Sequence, residues 1–262
     1  MKPTPRQAQY CGFFALLAIM ILAGCTTATP DLRPSLRVGI SPNYPPVLFE
    51  RGGEIVGIEA DLARIMADKI GRRLVFHRYS FPELLDALEH GEVDVAMGGL
   101  SITPERRERV LFTEPYLKVG QLAVIRAQDI ARLGRVRWIK RRGTRVGYER
   151  GTSGEDYVAN RLPHSAAFAF DSVAEGIRSL RAGRIDYFVH DSPTIWRLAG
   201  DPTQRDLIGL YRSLTEEHLA WAVRQDDITL HALLDTTISN WKRDGLIEPI
   251  LNRWIPFRVR IP

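Results

Sequence analysis

The sequence predicts an α/β protein of two similar lobes, each built on an open sheet with parallel strands, and three observations lead there. Shifted by 92, the segment LLDALEHGEVDVAMGG (Leu84 to Gly99) falls on GIRSLRAGRIDYFVHD (Gly176 to Asp191), so that Leu85 meets Ile177, Leu88 meets Leu180, Gly91 meets Gly183 and Asp94 meets Asp186. A second echo, at a shift of 108, lays LRVG at Leu36 on TRVG at Thr144. Strand and helix patterns alternate in both halves, and the strand patterns VDVAM and IDYFV are short and largely apolar, as parallel strands covered on both faces are.

At the amino end, Lys2 and Arg6 precede an apolar run from Phe13 to Leu22 and then LAGC, Leu22 to Cys25, the three-part layout of an export leader over 1–24. The run is shorter than the roughly 20 apolar residues a membrane span needs. LAGC resembles the lipobox of bacterial lipoproteins, which implies that Cys25 is acylated and becomes the first residue; an ordinary leader is the alternative. Cys11 leaves with the leader, so Cys25 is the single cysteine of the mature chain and no disulfide is expected. A tether rich in Thr, Pro and Ser occupies 25–35.

The folded body opens on a strand, Leu36 to Ser41, and a helix from Ile58 to Ile70 with Leu62, Ile65, Met66 and Ile70 on one side and Gly71 at its end. Pro82 is expected at the first position of the next helix, with Leu84, Leu85 and Leu88 inward and Gly91 as its left-handed cap. Thr103 and Pro104 read as N-cap and first residue of a third helix. In the second half, Thr152 and Ser153 with Glu155, and Ser172 with Glu175, have the spacing of capping boxes, and Gly183 closes the later helix.

The formal charge of +5 loses two basic residues with the leader, a near balance that argues against a general binder of polyanions. The exception is Arg132 to Arg150, eight basic residues against Glu149 alone. A solvated face on one lobe is the preferred reading, with a polyanion or lipid-surface patch as the alternative. Nucleic acid is not expected, since only Trp138 and Tyr148 interleave the run. The six histidines lack metal spacing, and there is no phosphate-binding loop or dinucleotide fingerprint, so no cofactor is expected.

Open α/β sheets take ligands beyond the carboxyl ends of their strands. GGLSITPER, Gly98 to Arg106, sits at such an end, and the repeat puts Asp191 at the same place in the second lobe. Free amides at a helix start, hydroxyls and a guanidinium make an anion site at Arg106; facing Asp191 across a cleft, it suits a zwitterion. The structural alternatives are a surface Arg106 paired with Glu105 or Glu108, and Asp191 as a helix cap. His190, Asp191 and Ser192 do not form a catalytic triad, because consecutive residues on an extended segment point to alternate sides. Tyr44 and Phe81 follow first-lobe strands and could stack on a ligand side chain or simply fill the core. Thr152 and Ser153 offer hydroxyl and amide donors to a ligand, or cap their own helix.

LRVGISPNYPP, GIEADLARIMADKIG, the segment from Leu84 to Leu117, RVGYERGTSGEDY, GRIDYFVHDSP and LAWAVRQDD with NWKRDGLIEPILNRWI together resemble the family 3 extracellular solute-binding proteins, which bind polar amino acids. The resemblance runs from Leu36 to about Ile255 and implies a two-lobed type II periplasmic-binding-protein-like fold, its two open α/β sheets joined by a two-segment hinge. Lobe one would comprise 36–123 and 221–262, lobe two 124–220, with crossings near Leu122 to Arg126 and Glu217 to Val223.

By the same resemblance, Arg106 grips the ligand α-carboxylate and Asp191 the α-ammonium. Ser101, the backbone at Gly99, Thr152 and Ser153 complete the main contacts, and Tyr44 and Phe81 flank the side chain. It further implies a monomer that is not an enzyme, partnered with an ABC permease or a sensor, exported and held by its lipid on the cell membrane or outer membrane. Thr26, rather than Asp, after Cys25 favours the outer membrane. Ser41 stands where relatives that bind basic side chains carry an acid, and Val47 where an aromatic is usual, which argues against a cationic ligand. An enzyme like the cyclohexadienyl dehydratases is the alternative, but Thr194 holds the place of their glutamate acid and cannot act as one. A structural lipoprotein with a vestigial cleft would have no use for Arg106 and Asp191.

Overall fold

The computed structural model describes residues 33–255; the expected leader, Cys25 and most of the tether lie outside the described residues. In chain order the first part contains β1 (Ser35–Ile40), a small antiparallel sheet of β2 (Asn43–Tyr44), β3 (Leu48–Arg51) and β4 (Glu54–Val56), then α1 (Ile58–Lys69), β5 (Arg73–Arg78), α2 (Leu84–Glu89), β6 (Val95–Met97), α3 (Pro104–Arg107), β7 (Val110–Phe112) and β8 (Leu117–Val119). The middle contains β9 (Gln121–Arg126), α4 (Ile130–Leu133), β10 (Arg145–Glu149), α5 (Ser153–Arg161), β11 (Ala166–Phe170), α6 (Val173–Arg181), β12 (Tyr187–Asp191), α7 (Ser192–Gly200) and β13 (Leu207–Leu210). The chain ends with β14 (Glu217–Leu219), β15 (Ala222–Arg224), α8 (Ile228–Arg243) and α9 (Ile247–Trp254).

Two five-stranded sheets share one plan. The first has the order β5-β1-β6-β15-β7 and the second β11-β10-β12-β9-β13. In each, the first three strands are parallel and the fourth is antiparallel to both neighbours. The two sequence echoes meet in this plan. Arg37 of β1 donates its backbone N–H to Asp94 at 2.8 Å and its guanidinium to the same carboxylate at 2.5 Å, and Arg145 of β10 treats Asp186 alike at 3.1 and 2.8 Å. Each arginine also donates to the carbonyl of the glycine that ends the preceding helix, Gly91 or Gly183, and both glycines have the positive φ that such a cap requires. Burial would raise the two aspartates, but the arginine bonds outweigh it and hold both below the usual carboxylate range.

α1 buries Ile58, Leu62 and Met66 against the first sheet, each contributing roughly 1.5–3 kcal/mol. Pro82 does not open α2. Glu83 folds back onto the amide and hydroxyl of Ser80, at 3.2 and 2.6 Å, closing a turn that places the helix start at Leu84. β8 and β14 pair with each other, Leu117 to Leu219, and form the two-stranded link between the lobes. The crossing expected near Leu122 to Arg126 lies instead inside β9, a member of the second sheet, so the boundary drawn at 123/124 cuts a strand. α8 returns to β15 and α9 to α1, both in the first lobe.

Candidate functional site

The carboxyl ends of β1, β6, β10 and β12 converge on one cleft. Ser41, Tyr44, Phe81, Gly98, Gly99, Ser101 and Arg106 line it from the first lobe, and Glu149, Thr152, Ser153, His190 and Asp191 from the second. Arg106 rides on the first turn of α3, whose start is fixed by Pro104 and by the Thr103 hydroxyl accepting the Arg106 N–H at 3.3 Å. Its guanidinium donates to Ser101 O at 2.9 Å and, across the cleft, to Gly151 O at 3.2 Å, and lies 5.4 Å from the centre of the Phe81 ring. Neither Glu105 nor Glu108 pairs with it among the described residues. Burial lowers the pKa of Arg106 against the pull of Asp156, Asp191 and Glu217.

Asp191 ends β12, is 7% exposed and stands at the N-cap position of α7, but its side chain makes no cap bond to that helix. Its carboxylate accepts from Tyr44 Oη of the opposite lobe at 2.7 Å and from Gln121 Nε2. Burial pushes it up to about 6, opposed by His190 and by the two donors and reinforced by Glu217. His190 Nδ1 accepts the Asp191 backbone N–H at 2.8 Å, so the ring proton sits on Nε2 and is donated to Glu149 at 2.9 Å. Burial lowers the pKa of His190, and the Glu149 bond with the charges of Asp191 and Glu149 more than reverses this.

Several expected residues are engaged differently. The Tyr44 ring packs on Gly99, where a Cβ would come within 2.2 Å of it, and its hydroxyl is spent on Asp191, so it bridges the lobes rather than offering a free stacking face. The Gly99 N–H donates to Glu59 at 3.1 Å. Glu59 is fully buried, also accepts from Tyr116 Oη at 3.0 Å, and is pushed up to about 8 by burial. Thr152 donates its hydroxyl to Glu149 O at 2.7 Å, and Glu155 reaches the Gly151 N–H at 2.7 Å, so this turn is held without the expected capping box. Ser101 and Ser153 meet across the cleft, and both donate to Glu217 of β14, at 2.7 and 2.6 Å.

Glu217, Gln121, Glu149 and His190 are the residues that sequence reasoning passed over. The shift of 108 that aligns LRVG with TRVG also lays Ser41 on Glu149, and the shift of 92 lays Gly98 on His190; followed through, these would have found both. Glu217 and Gln121 had no comparable signal, since their place depends on the pairing of β14 with β8 and on β9 joining the second sheet. Among the described residues, no group of three His, Cys, Asp or Glu side chains could hold a metal ion.

Residues 36–257 match the profile of the bacterial extracellular solute-binding proteins, family 3. The chain belongs to this family. As a solute-binding protein it is 28% identical to the ABC transporter arginine-binding protein 1 of Escherichia coli K12, over 92% of this chain and 98% of that one. Among solved structures, a binding component of an ABC transporter from Wolinella succinogenes, complexed with lysine, superposes with a TM-score of 0.79 at 29% identity, covering 85% of this chain and 96% of that one. An ancestral amino-acid-binding protein, a precursor of cyclohexadienyl dehydratase, gives 0.77 at 27% identity, covering 84% and 95%. The two-lobed fold and membership of the extracellular solute-binding family are thereby established.

Proposed function

We propose that this solute-binding protein captures a basic amino acid between its lobes and presents it to an ABC permease. The observation that carries the reading is the position of Arg106 and Asp191 in one cleft, each at the carboxyl end of its lobe's parallel strands, as partners for an α-carboxylate and an α-ammonium. Arg106 uses only part of its donor fork on Ser101 and Gly151, leaving N–H groups for a ligand carboxylate.

The charge around the cleft supports a cation. Glu149, Asp191 and Glu217 outnumber Arg106 and His190 even with the histidine charged. The hydroxyls of Ser101 and Ser153 give their protons to Glu217, so each can act toward a ligand only as an acceptor, and Ser153 already accepts from Gln121 at 3.1 Å. The acid missing at Ser41 stands at the equivalent position of the other lobe, Glu149, which removes the objection drawn from Ser41. Relatives named for arginine, and the neighbour complexed with lysine, agree with this class. Closure would proceed about β8 and β14, the link between the lobes.

Thermal-shift and calorimetric titrations with L-arginine, L-lysine, L-glutamine and L-glutamate test the ligand class. L-arginine or L-lysine is expected to bind most tightly, and selective binding of L-glutamate would refute it. The protein is proposed to catalyse nothing: Thr194, buried in the place of a dehydratase acid, has no ionisable proton near neutral pH, and prephenate should survive incubation unchanged. Anchoring through Cys25 is part of the same reading and rests on LAGC; Cys25→Ser should move the protein from the membrane fraction to the soluble one or leave it unprocessed.

A further inference from the structure

Part of the basic run of the second lobe gathers around one groove, which Arg135, Arg137 and Arg212 line, while Arg141 shares the Trp138 ring with Arg135. Arg135, Arg137, Lys140, Arg141 and Arg142 follow α4, and Arg212 follows β13. All six are exposed, and none forms an ion pair among the described residues. Their neighbours on the same lobe are matched: Arg126 and Arg132 with Asp129, Arg145 with Asp186, Arg150 with Asp171 and Arg181 with Asp206. Arg161, Arg178, Arg184, Arg197 and Arg205 of this lobe are also without an ion pair among the described residues, but the run from Arg135 to Arg142 places five such cations within eight consecutive residues.

The same face carries apolar surface. A shallow groove of about 570 Å³ runs between α4 and β13, lined by Ile130, Val136, Ile208 and Tyr211 and rimmed by Arg135 and Arg212. Ile130 and Tyr211 are 45% and 47% exposed, two of the few large apolar side chains left open to solvent. Trp138 lies between two of the cations, with the Arg135 and Arg141 guanidinium carbons 5.5 and 4.6 Å from its ring centre, which holds both charges in fixed places.

We propose that this face docks on an anionic phospholipid surface. Guanidinium groups would meet phosphates while Ile130, Tyr211 and the edge of Trp138 enter the boundary between headgroups and acyl chains, the composition that interfacial segments share. A nucleic acid fits less well, because the Trp138 ring is already occupied by arginines and Tyr211 alone remains to stack a base. A small anion would engage the arginines of the groove but leave the exposed side chains of Ile130 and Tyr211 uncovered. No helix among the described residues is long and apolar enough to cross a membrane. The proposal is independent of the ligand in the cleft.

Sedimentation of the full chain with vesicles of phosphatidylcholine, or of phosphatidylcholine mixed with phosphatidylglycerol, tests it. The amino-terminal segment contributes equally in every variant, so the readout is the ratio of partition between the two vesicles. Each cation near an anionic surface is worth roughly fivefold in partition, so the triple variant R135E/R137E/R141E should lose at least about tenfold of the preference. The preference should also shrink at high salt. The control K69E/R73E/R205E makes the same change of net charge on other exposed cations and should retain it. Ile130→Ser with Tyr211→Ser should lower partition at high salt, where charge no longer contributes. Circular dichroism confirms that each variant is folded. Equal partition of the wild type on both vesicles overturns the proposal, as does an equal loss in the control. Binding to polyglutamate without binding to vesicles also overturns it, in favour of an acidic protein.

Discussion

Acidification should weaken the binding of a basic amino acid, and Asp191→Asn should abolish that dependence. The carboxyl of Asp191 is pushed up to about 6 by burial, with Glu217 adding to the rise and His190, Tyr44 and Gln121 opposing it. Near neutral pH the group is mostly ionised and ready for an ammonium. One unit below its pKa about a tenth of the molecules remain ionised, so the apparent Kd rises about tenfold, or about 1.4 kcal/mol. Asp191→Asn keeps the shape and the Tyr44 bond but loses the charge. A charged hydrogen bond contributes about 1.5–3 kcal/mol, so the variant should bind roughly tenfold to a hundredfold more weakly at neutral pH, with no further loss on acidification. His190 faces the same carboxylate; its protonation, which Glu149 favours, would move the transition to lower pH without removing it.

The empty protein should respond in the opposite sense. Asp191 has a raised pKa in the fold and an ordinary one, about 3.9, when unfolded, so between about 4 and 6 the folded state holds more protons. Its contribution to stability is therefore fully present below about 4 and is lost as pH rises through about 6, a change of up to about 3 kcal/mol that the Asn variant lacks. Calorimetric titration with L-arginine from about pH 5 to 8, with urea denaturation of the free protein from about pH 4 to 8, measures both. Wild-type affinity that is flat with pH, or an Asn variant that binds as tightly as wild type, would refute the reasoning.

Arg106→Ala should weaken L-arginine binding by at least about tenfold, whereas Arg107→Ala, exposed one residue along α3, should leave it unchanged; calorimetry that finds the two equal would reassign the gripping arginine. Glu59, pushed up to about 8, is neutral at pH 7, so Glu59→Gln should cost less than about 1 kcal/mol. Glu59→Ala should cost about 1–3 kcal/mol for each of the partners it strands, the Gly99 amide and the Tyr116 hydroxyl, as read by urea unfolding. Asp94→Ala and Asp186→Ala should destabilise the protein by similar amounts, about 1–3 kcal/mol, because each strands an arginine and a backbone N–H in matching settings. Both aspartates have lowered pKa values, so the difference from wild type should persist at neutral pH and vanish as pH falls through the folded-state values.

Much of the fold was legible because its signals are local or repeated. Gly91 and Gly183 end their helices with the backbone that glycine allows, Thr103 and Ser172 cap theirs, and the repeat carried Arg37 and Asp94 onto Arg145 and Asp186. Of the two expected crossings, the one at Glu217 to Val223 overlaps β14, whereas the one at Leu122 to Arg126 falls inside β9, because β8 and β9 follow each other with one residue between them and only pairing partners distinguish a link from a sheet member. In the cleft, Arg106 and Asp191 followed from strand ends. The engagements of Tyr44, Gly99, Ser101 and Ser153 did not, because each depends on a partner distant in the chain: Asp191, Glu59 and Glu217.

The bond from Tyr44 to Asp191 joins the lobes at the atom proposed to receive the ligand ammonium. A ligand ammonium therefore arrives at an acceptor that already has company, and the affinity measured is the margin of one donor over another. Tyr44→Phe would lift that competition while also removing a hydrogen bond between the lobes. A single hydroxyl thus sets the zero from which recognition is counted.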